Sequence, residues 1–572
     1  MTNLRQQLSG KPWLALGVLA SVPWLISYYF VGVGGHDDSH ITFYVARQLA
    51  TTGEYVNYNH EAVEQSSSMG LVLILAALRL ITGVSLPLLG YLVSMVGGSA
   101  AVGLTYALGK RLLNGSEEER ARTALLAAAT CATTWCFLYW STGAMEASLA
   151  AAAAPALVLA MTRYEEQPKR VSRIAWFALA LLLFVTLRPE NVVIAFCVAI
   201  ALGVLFLRES EHRWWRSAVW LAGASAALTL GRLIAFGSAL PRTVSAKSGG
   251  FHWREGLNYA LGSMTASNSA LFIGALLALT LTAVQLVRGG LRPMLAVTSA
   301  VFFAQLAFVL ATGGDWMVHG RFLVPAVPLA CVLAAQLIAT PRSHAYSWGL
   351  LIVLLVGMLQ SYRTIERKRG EMISFRDGVA IAKHYPVLES RFSLAELAGP
   401  PHLRDAPVVV ALDRWMTEFE QRVDGPVVLS SGQAGMVPYY ASEGRRIRFI
   451  DLWGLTSGDI QDCAPDAVAR RSKIGTQIHL DWVVSGQLEK PCGLPKPHVV
   501  YSDRLSSSSR RTLERNGYQV VYLQQGKPKG KNFPRTYELA GFIAVPRDLL
   551  TESEKKAGTA KFNWEGTSDT RR

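Results

Sequence analysis

The chain has 572 residues, 51% of them hydrophobic and only 17% charged, and its 56 Lys and Arg against 41 Asp and Glu leave a formal net charge of +15. So large an apolar share excludes a disordered chain, and its arrangement excludes an ordinary soluble enzyme: up to about residue 362, long apolar runs follow one another with short polar breaks. No nucleic-acid-binding motif accompanies the positive charge, which lies in short loops between the runs as in a bilayer-crossing chain, so nucleic acid is excluded as a partner.

The first run, Pro12–Gly32, follows a short basic start with no small-residue cleavage motif and is expected to remain as a signal anchor. Leu86–Leu108, Ala124–Tyr139, Met145–Met161, Ile174–Leu187, Val192–Leu207 and Ala218–Phe236 follow. Leu271–Val287, Met294–Ala311, Phe322–Ala339 and Tyr346–Gln360 complete the series. One further run, Met69–Ile81, is short and contains Arg79. If it does not span, the basic loops after Leu108, Met161, Leu207 and Val287 all fall on the cytoplasmic side; if it spans, they all invert. It is therefore read as an interfacial helix. The result is a mostly α polytopic membrane protein with about eleven transmembrane helices over 1–362. A soluble α/β or β-rich domain over 363–550 and a disordered polar tail over 551–572 follow, both outside the membrane.

The same parity places Gly34–Ser68, Trp140–Ala144, Arg188–Asn191, Gly237–Asn268 and Gly313–Arg321 outside, and these segments hold most of the chemically useful residues. A transporter would concentrate such residues at mid-membrane. Asp37 and Asp38 follow directly on the first run; an acidic pair there can deprotonate an acceptor hydroxyl or hold a divalent cation, and equally can cap a helix. From Asp38 the spacing predicts an amphipathic helix on the bilayer, with His40, Phe43 and Arg47 on one face and Ile41, Val45 and Leu49 on another. Glu64 lies in EAVEQSSS, Glu146 at the start of a run, and Arg188 and Glu190 flank a helix-breaking Pro189. FGSALPRTVSAKSGG carries Arg242 and Lys247, and GGDWMVHGRFLVP carries Asp315, His319 and Arg321. Arginine at such a surface either snorkels to lipid headgroups or binds phosphate with its planar fork.

Taken together, His36–Arg47, Val63–Ser66, Gly143–Glu146, Arg188–Glu190, Leu240–Lys247 and Gly313–Pro325 resemble the mycobacterial terminal arabinofuranosyltransferase family and its bacterial relatives, of the GT-C glycosyltransferase fold. SSGQAGMVPYYA from Ser430 and FIDLWGLTSGD from Phe449 extend the resemblance to about residue 460. Three places depart from the family's pattern. Ser39 and His40 stand where a small residue and an aromatic follow the acidic pair, Gly143–Glu146 is one residue longer than the family's G-L-E, and Ser457–Gly458–Asp459 replaces the Asp of its L-T-D.

The resemblance implies transfer of a pentofuranose, arabinofuranose above all, from a polyprenyl-phosphate donor. The acceptor would be a hydroxyl of a cell-surface glycan or a protein such as pilin, on the outer face of a bacterial inner membrane. Asp37 is the expected base with Asp38 supporting it. Arg188, Arg242, Lys247 and Arg321 are expected at the phosphate, and Glu64, Glu146 and Asp315 at sugar hydroxyls; His40, Arg47, Glu190 and His319 complete the donor and acceptor set. Another lipid-linked sugar (mannose, aminoarabinose) or flipping of the lipid-phosphate sugar are the alternatives.

Beyond Arg363 short apolar segments replace the long runs. Strands are expected at Pro407–Leu412, Val427–Leu429, Ile447–Ile450, Trp482–Val484, Val499–Tyr501, Val520–Leu523 and Gly541–Val545, with helices at Trp415–Gln421 and Ser507–Arg515. Of six cysteines, Cys131, Cys136, Cys197 and Cys331 fall in apolar runs. Cys463 and Cys492, in a domain placed outside the membrane, are expected to form a disulfide.

Overall fold

The structure, a computed structural model, describes residues 12–30, 37–206, 214–247, 250–288, 292–315, 317, 319–338, 407–456, 460–471, 475–502, 505–525 and 541–563. The expected run Tyr346–Gln360, the domain boundary at 362–363 and His36 lie outside the described residues.

Each of the other ten expected spans has a helical counterpart. Four helices are long and apolar enough to cross a bilayer: Leu86–Leu112, Ala147–Glu166, Trp215–Phe236 and Pro293–Thr312. The rest are shorter or broken, so the count of eleven is not reached among the described residues. Two breaks have local causes. Glu117–Thr133 starts at a capping box in which Ser116 and Glu119 satisfy each other's backbone N–H groups. It stops at Thr134, and a separate short helix, Trp135–Trp140, completes the expected Ala124–Tyr139 run. The expected Phe322–Ala339 run begins as a 3-10 turn, Arg321–Ala326, around Pro325 before Val327–Ile338 continues as α-helix.

Small residues let these helices approach closely. Gly97 of Leu86–Leu112 lies against the Leu149 backbone of the alanine-rich Ala147–Glu166 helix, and Gly109 against Ala124. Ser94 donates to the Met145 carbonyl at 2.8 Å and Ser148 donates back to the Ser94 carbonyl at 2.7 Å, which sets the register of the pair. Trp176, Leu182, Val219, Leu230 and Ile234 point outward and exposed, the apolar surface that lipid tails would cover.

The Met69–Thr82 helix has 14 residues, is capped by the Ser68 hydroxyl, and is not among the four helices long enough to cross a bilayer. Its start, Gly70, touches Thr186 and Leu187, and Gly90 in the following helix touches Phe43 and the Ala144 carbonyl, all at one end of the molecule.

The soluble domain is α/β. Its six-stranded mixed sheet has the order β2 (Ile447–Asp451), β1 (Val427–Ser431), β5 (Val499–Ser502), β7 (Phe542–Pro546), β6 (Tyr518–Gln525) and β8 (Ala560–Asn563). β1 pairs in parallel with β2 and β5, β7 runs antiparallel to β5 and β6, and β8 is parallel to β6. β1 and β7 are buried along their whole length, so both faces of the sheet centre are covered. A short antiparallel pair, β3 (Val468–Arg471) and β4 (Thr476–Ile478), stands apart. Cys463 and Cys492 are joined by a disulfide with Cα atoms 5.3 Å apart.

Three expectations need correction. Pro407–Leu412 is not a strand but the start of the helix Pro407–Arg422, which buries Leu412, Trp415, Met416 and Phe419 at helical spacing. Trp482–Val484 lies in the helix Leu480–Ser485, closed by Gly486 in the left-handed conformation. Residues 551–563, read as disordered tail, form the capped helix Glu552–Ala557 and the edge strand β8. Arg422 holds that helix through Glu554 at 2.9 Å.

Candidate active site

The acidic pair opens the Asp37–Thr52 helix, so its carboxylates occupy the helix's positive end. The two do different things. Asp37 reaches into the soluble domain: its carboxylate accepts from the backbone N–H of Met436 at 2.7 Å and of Gly435 at 3.2 Å. Asp38 turns toward the loops, with Lys247 Nζ 3.8 Å from its carboxylate; both side chains retain some exposure, 11% and 22%.

Four further ion pairs, made by three arginines, are buried nearby. Arg232 makes a two-pronged bond to Glu64, at 2.8 and 3.2 Å. Arg188 bridges Glu146, at 2.9 Å, and Glu190, and lies over the Phe322 ring. Arg321 pairs with Asp315 at 2.6 Å. Burial works against the Arg321 charge, but the carboxylates of Asp315, Glu146 and Asp38 outweigh it and raise its pKa. These residues sit where helices begin or end: Glu146 before Ala147–Glu166, Arg188 after Val171–Leu187, Arg232 in the last turns of Trp215–Phe236 and Asp315 after Pro293–Thr312. The outer loops singled out from loop charge thus converge at one end of the bundle.

The soluble domain closes over them. Asn59 exchanges hydrogen bonds with the Phe449 backbone at 2.6 and 3.0 Å, Asn57 donates to the Thr456 carbonyl, and Tyr58 donates to the Gly435 carbonyl at 3.1 Å. Thr476 donates to the Ala246 carbonyl, beside Lys247. Asp451 at the end of β2 is buried and accepts from the N–H groups of Trp453, Leu455 and Thr456, which shapes the loop facing the membrane domain. Burial nonetheless pushes its pKa up.

Some expected ligand residues have other duties. Arg47 lies over the Tyr439 ring at 4.5 Å and donates to the Tyr439 carbonyl and the Ser442 hydroxyl, so it fastens the soluble domain rather than snorkelling. His40 is fully buried among Phe43, Tyr439 and Tyr440, and His319 is enclosed by Tyr139 and Trp135. Glu64, Glu146 and Glu190 are each committed to a buried arginine. Arg242 is partly buried, and burial lowers its pKa while Asp451 and Asp462 raise it. Two residues that matter were missed. Arg232 interrupts the apolar run ALTLGRLIAF, and a charge at that depth is itself a signal of a buried partner. Asp451 stood within the FIDLWGLTSGD segment.

Among the described residues no three His, Cys, Asp or Glu side chains converge as a metal site requires. Both Asp37 oxygens accept from backbone N–H groups.

Gly435 allows the close approach on which docking depends. A Cβ there would lie 1.7 Å from the Asp37 carbonyl oxygen. Gly435→Ala should therefore loosen the soluble domain from the bundle, at a cost of about 1–3 kcal/mol. Limited proteolysis checks this: the variant should release the domain faster than wild type, and equal rates would refute the contact.

Burial beneath the domain, with Asp38 beside it, pushes the Asp37 carboxyl up to about 7 from 3.8, against the opposing pull of the Met436 and Gly435 N–H groups. The folded chain thus holds a proton that the unfolded chain releases. This group favours folding most below about pH 4, and its contribution declines as pH rises to about 7. The melting temperature should fall between about pH 4 and about pH 7, and fall less in Asp37→Asn. Parallel curves for the two proteins would exclude Asp37 as the source.

No family model matches the chain, and no curated protein matches it. Solved structures do. The archaeal oligosaccharyltransferase AglB from Archaeoglobus fulgidus, in complex with an inhibitory peptide and a dolichol-phosphate, matches with a TM-score of 0.51 and 11% identity, covering 86% of this chain and 69% of that one. ArnT from Cupriavidus metallidurans matches in its apo state with a TM-score of 0.52 and 12% identity. Bound to undecaprenyl phosphate it matches with 0.52 and 13%; in both states 95% of this chain and 99% of ArnT are covered. At these identities the likeness establishes the fold: the chain has the GT-C fold.

Proposed function

We propose that the chain is a membrane glycosyltransferase that moves a sugar from a polyprenyl-phosphate donor to an acceptor hydroxyl. The sugar is a pentofuranose, arabinofuranose first, and the acceptor a cell-surface glycan or a protein such as pilin. The site faces outward from a bacterial inner membrane, under an extracytoplasmic soluble domain. The observation that carries this reading is the partly exposed Asp38–Lys247 pair set beside buried Arg321 at one end of the bundle. The lipid phosphates held by the AglB and ArnT structures, which share this fold, support it.

In the reaction the acceptor oxygen attacks the anomeric carbon, and the bond from that carbon to the phosphate oxygen breaks with its electron pair leaving on the phosphate. A phosphate leaving group needs charge neutralisation more than a proton, which Lys247 and Arg242 supply from the loop and Arg321 from below. The acceptor proton goes to a carboxylate. Asp38 fills that role better than Asp37, because Asp37 is tied to the soluble domain through both oxygens. Asp37 is then a positioning residue that sets the domain over the site.

Lipid binding tests the assignment. Lys247→Gln should weaken retention of polyprenyl phosphate by about tenfold, the order expected for one charge-assisted bond, when read by native mass spectrometry. Unchanged retention would remove Lys247 from the phosphate site. Presenting arabinofuranose, mannose and aminoarabinose on the same lipid then decides the sugar: transfer of either rival in preference to arabinofuranose would overturn the pentofuranose assignment.

A further inference from the structure

A cavity of about 830 Å³ lies at the end of the bundle opposite the acidic pair. The Ala147–Glu166 helix shows the separation: it starts beside Glu146 in the candidate active site and ends with Arg163, Glu165 and Glu166 in the cavity wall, 20 residues on. Twenty residues of α-helix span about 30 Å. By the loop-charge rule this end faces the cytoplasm.

The wall carries five cations, Lys110, Arg111, Arg120, Arg163 and Arg292. Lys110 is paired with Glu117 at 2.9 Å, and Arg111 with Glu166. Glu165, also in the wall, accepts the Ser217 N–H at 3.1 Å at the start of Trp215–Phe236. Among the described residues Arg163 and Arg292 are in no ion pair; Arg120 lies within electrostatic reach of Glu117, and its buried Nε has no hydrogen-bond partner. Arg292 donates once, to the Leu112 carbonyl at 2.6 Å. The rest of the wall includes Leu159, Met294, Leu295 and Trp214.

The loop-charge rule accounts for basic residues at this face, but it does not require them to gather around one open, half-apolar groove. Guanidinium forks match phosphate oxygens, and basic pockets between helices at the cytoplasmic face suit lipid head groups. We infer that this cavity binds the phosphate head group of an anionic membrane lipid, with its chains along Leu159, Met294 and Leu295. The site is remote from the acidic pair and does not depend on the transfer reaction.

Photo-crosslinking tests it directly. The full chain is placed in phosphatidylcholine nanodiscs containing a photoactivatable phosphatidic acid, and labelled peptides are mapped by mass spectrometry. Label is expected on peptides covering 106–112 and 159–166. Arg163→Gln with Arg292→Gln should cut it about tenfold, while Arg163→Lys with Arg292→Lys, which keeps the charge, retains most of it. Three results would overturn the inference: equal labelling of the Gln pair and wild type, equal labelling by a photoactivatable phosphatidylcholine, or a Lys pair as unlabelled as the Gln pair. Displacement of the lipid probe by excess inorganic phosphate would assign the cavity to a free phosphate-bearing solute and overturn the lipid.

Discussion

Asp38→Asn should lower turnover by about 10²- to 10⁴-fold while the protein stays folded, the range expected when a positioned proton acceptor is removed. Asn keeps the volume and polarity of the side chain, and Asp38 keeps some exposure, so packing has little reason to change. Asp37→Asn should behave differently. Its amide group would turn an N–H toward one of the backbone N–H groups of Gly435 and Met436, leaving two donors face to face. The expected result is weaker docking of the soluble domain, by about 1–3 kcal/mol, and a smaller loss of turnover than in Asp38→Asn. Rates measured well below both melting temperatures separate the two. A larger loss in Asp37→Asn would return the base to Asp37.

Arg188→Met should destabilise the fold by about 3–5 kcal/mol, the cost of leaving a buried charge without its partner. Arg188 is the counter-ion of both Glu146 and Glu190, and all three side chains are almost wholly buried. Methionine would still cover the Phe322 ring that the guanidinium now overlies, so the loss isolates the charge. Adding Glu146→Gln and Glu190→Gln to Arg188→Met should recover much of the stability, because no buried charge then remains. Thermal unfolding in detergent reads both steps. If the single variant unfolds like wild type, the triad is not what holds these helix ends together.

Much of this organisation was legible in the sequence because it is local or periodic. Hydropathy located the helices, and loop charge grouped the segments whose side chains meet at one end of the bundle. The errors have equally local causes. Pro407–Leu412 reads as a strand in a short window rich in Val, yet Leu412, Trp415, Met416 and Phe419 repeat at helical spacing when the window is extended. Trp482–Val484 is too short for either period to show. What could not be read is pairing at a distance. Glu64 and Arg232 are 168 residues apart, and Asp37 and Met436 are 399 apart. Each residue looks like an ordinary cap or a snorkelling base until the fold brings its partner. The division of labour within the acidic pair belongs to the same class, since adjacent Asp37 and Asp38 differ only in what approaches them from the soluble domain and the Lys247 loop.

The most direct test of the account is a transfer assay that follows both products at once. Purified protein in nanodiscs receives a polyprenyl-phosphoryl pentofuranose, labelled separately in the sugar and the lipid, together with glycan or pilin acceptors. The account predicts that wild type releases one polyprenyl phosphate for each sugar joined to an acceptor hydroxyl, and that Asp38→Asn slows both products together. Movement of intact donor across the bilayer with no new glycosidic bond, or undiminished transfer by Asp38→Asn, would contradict it.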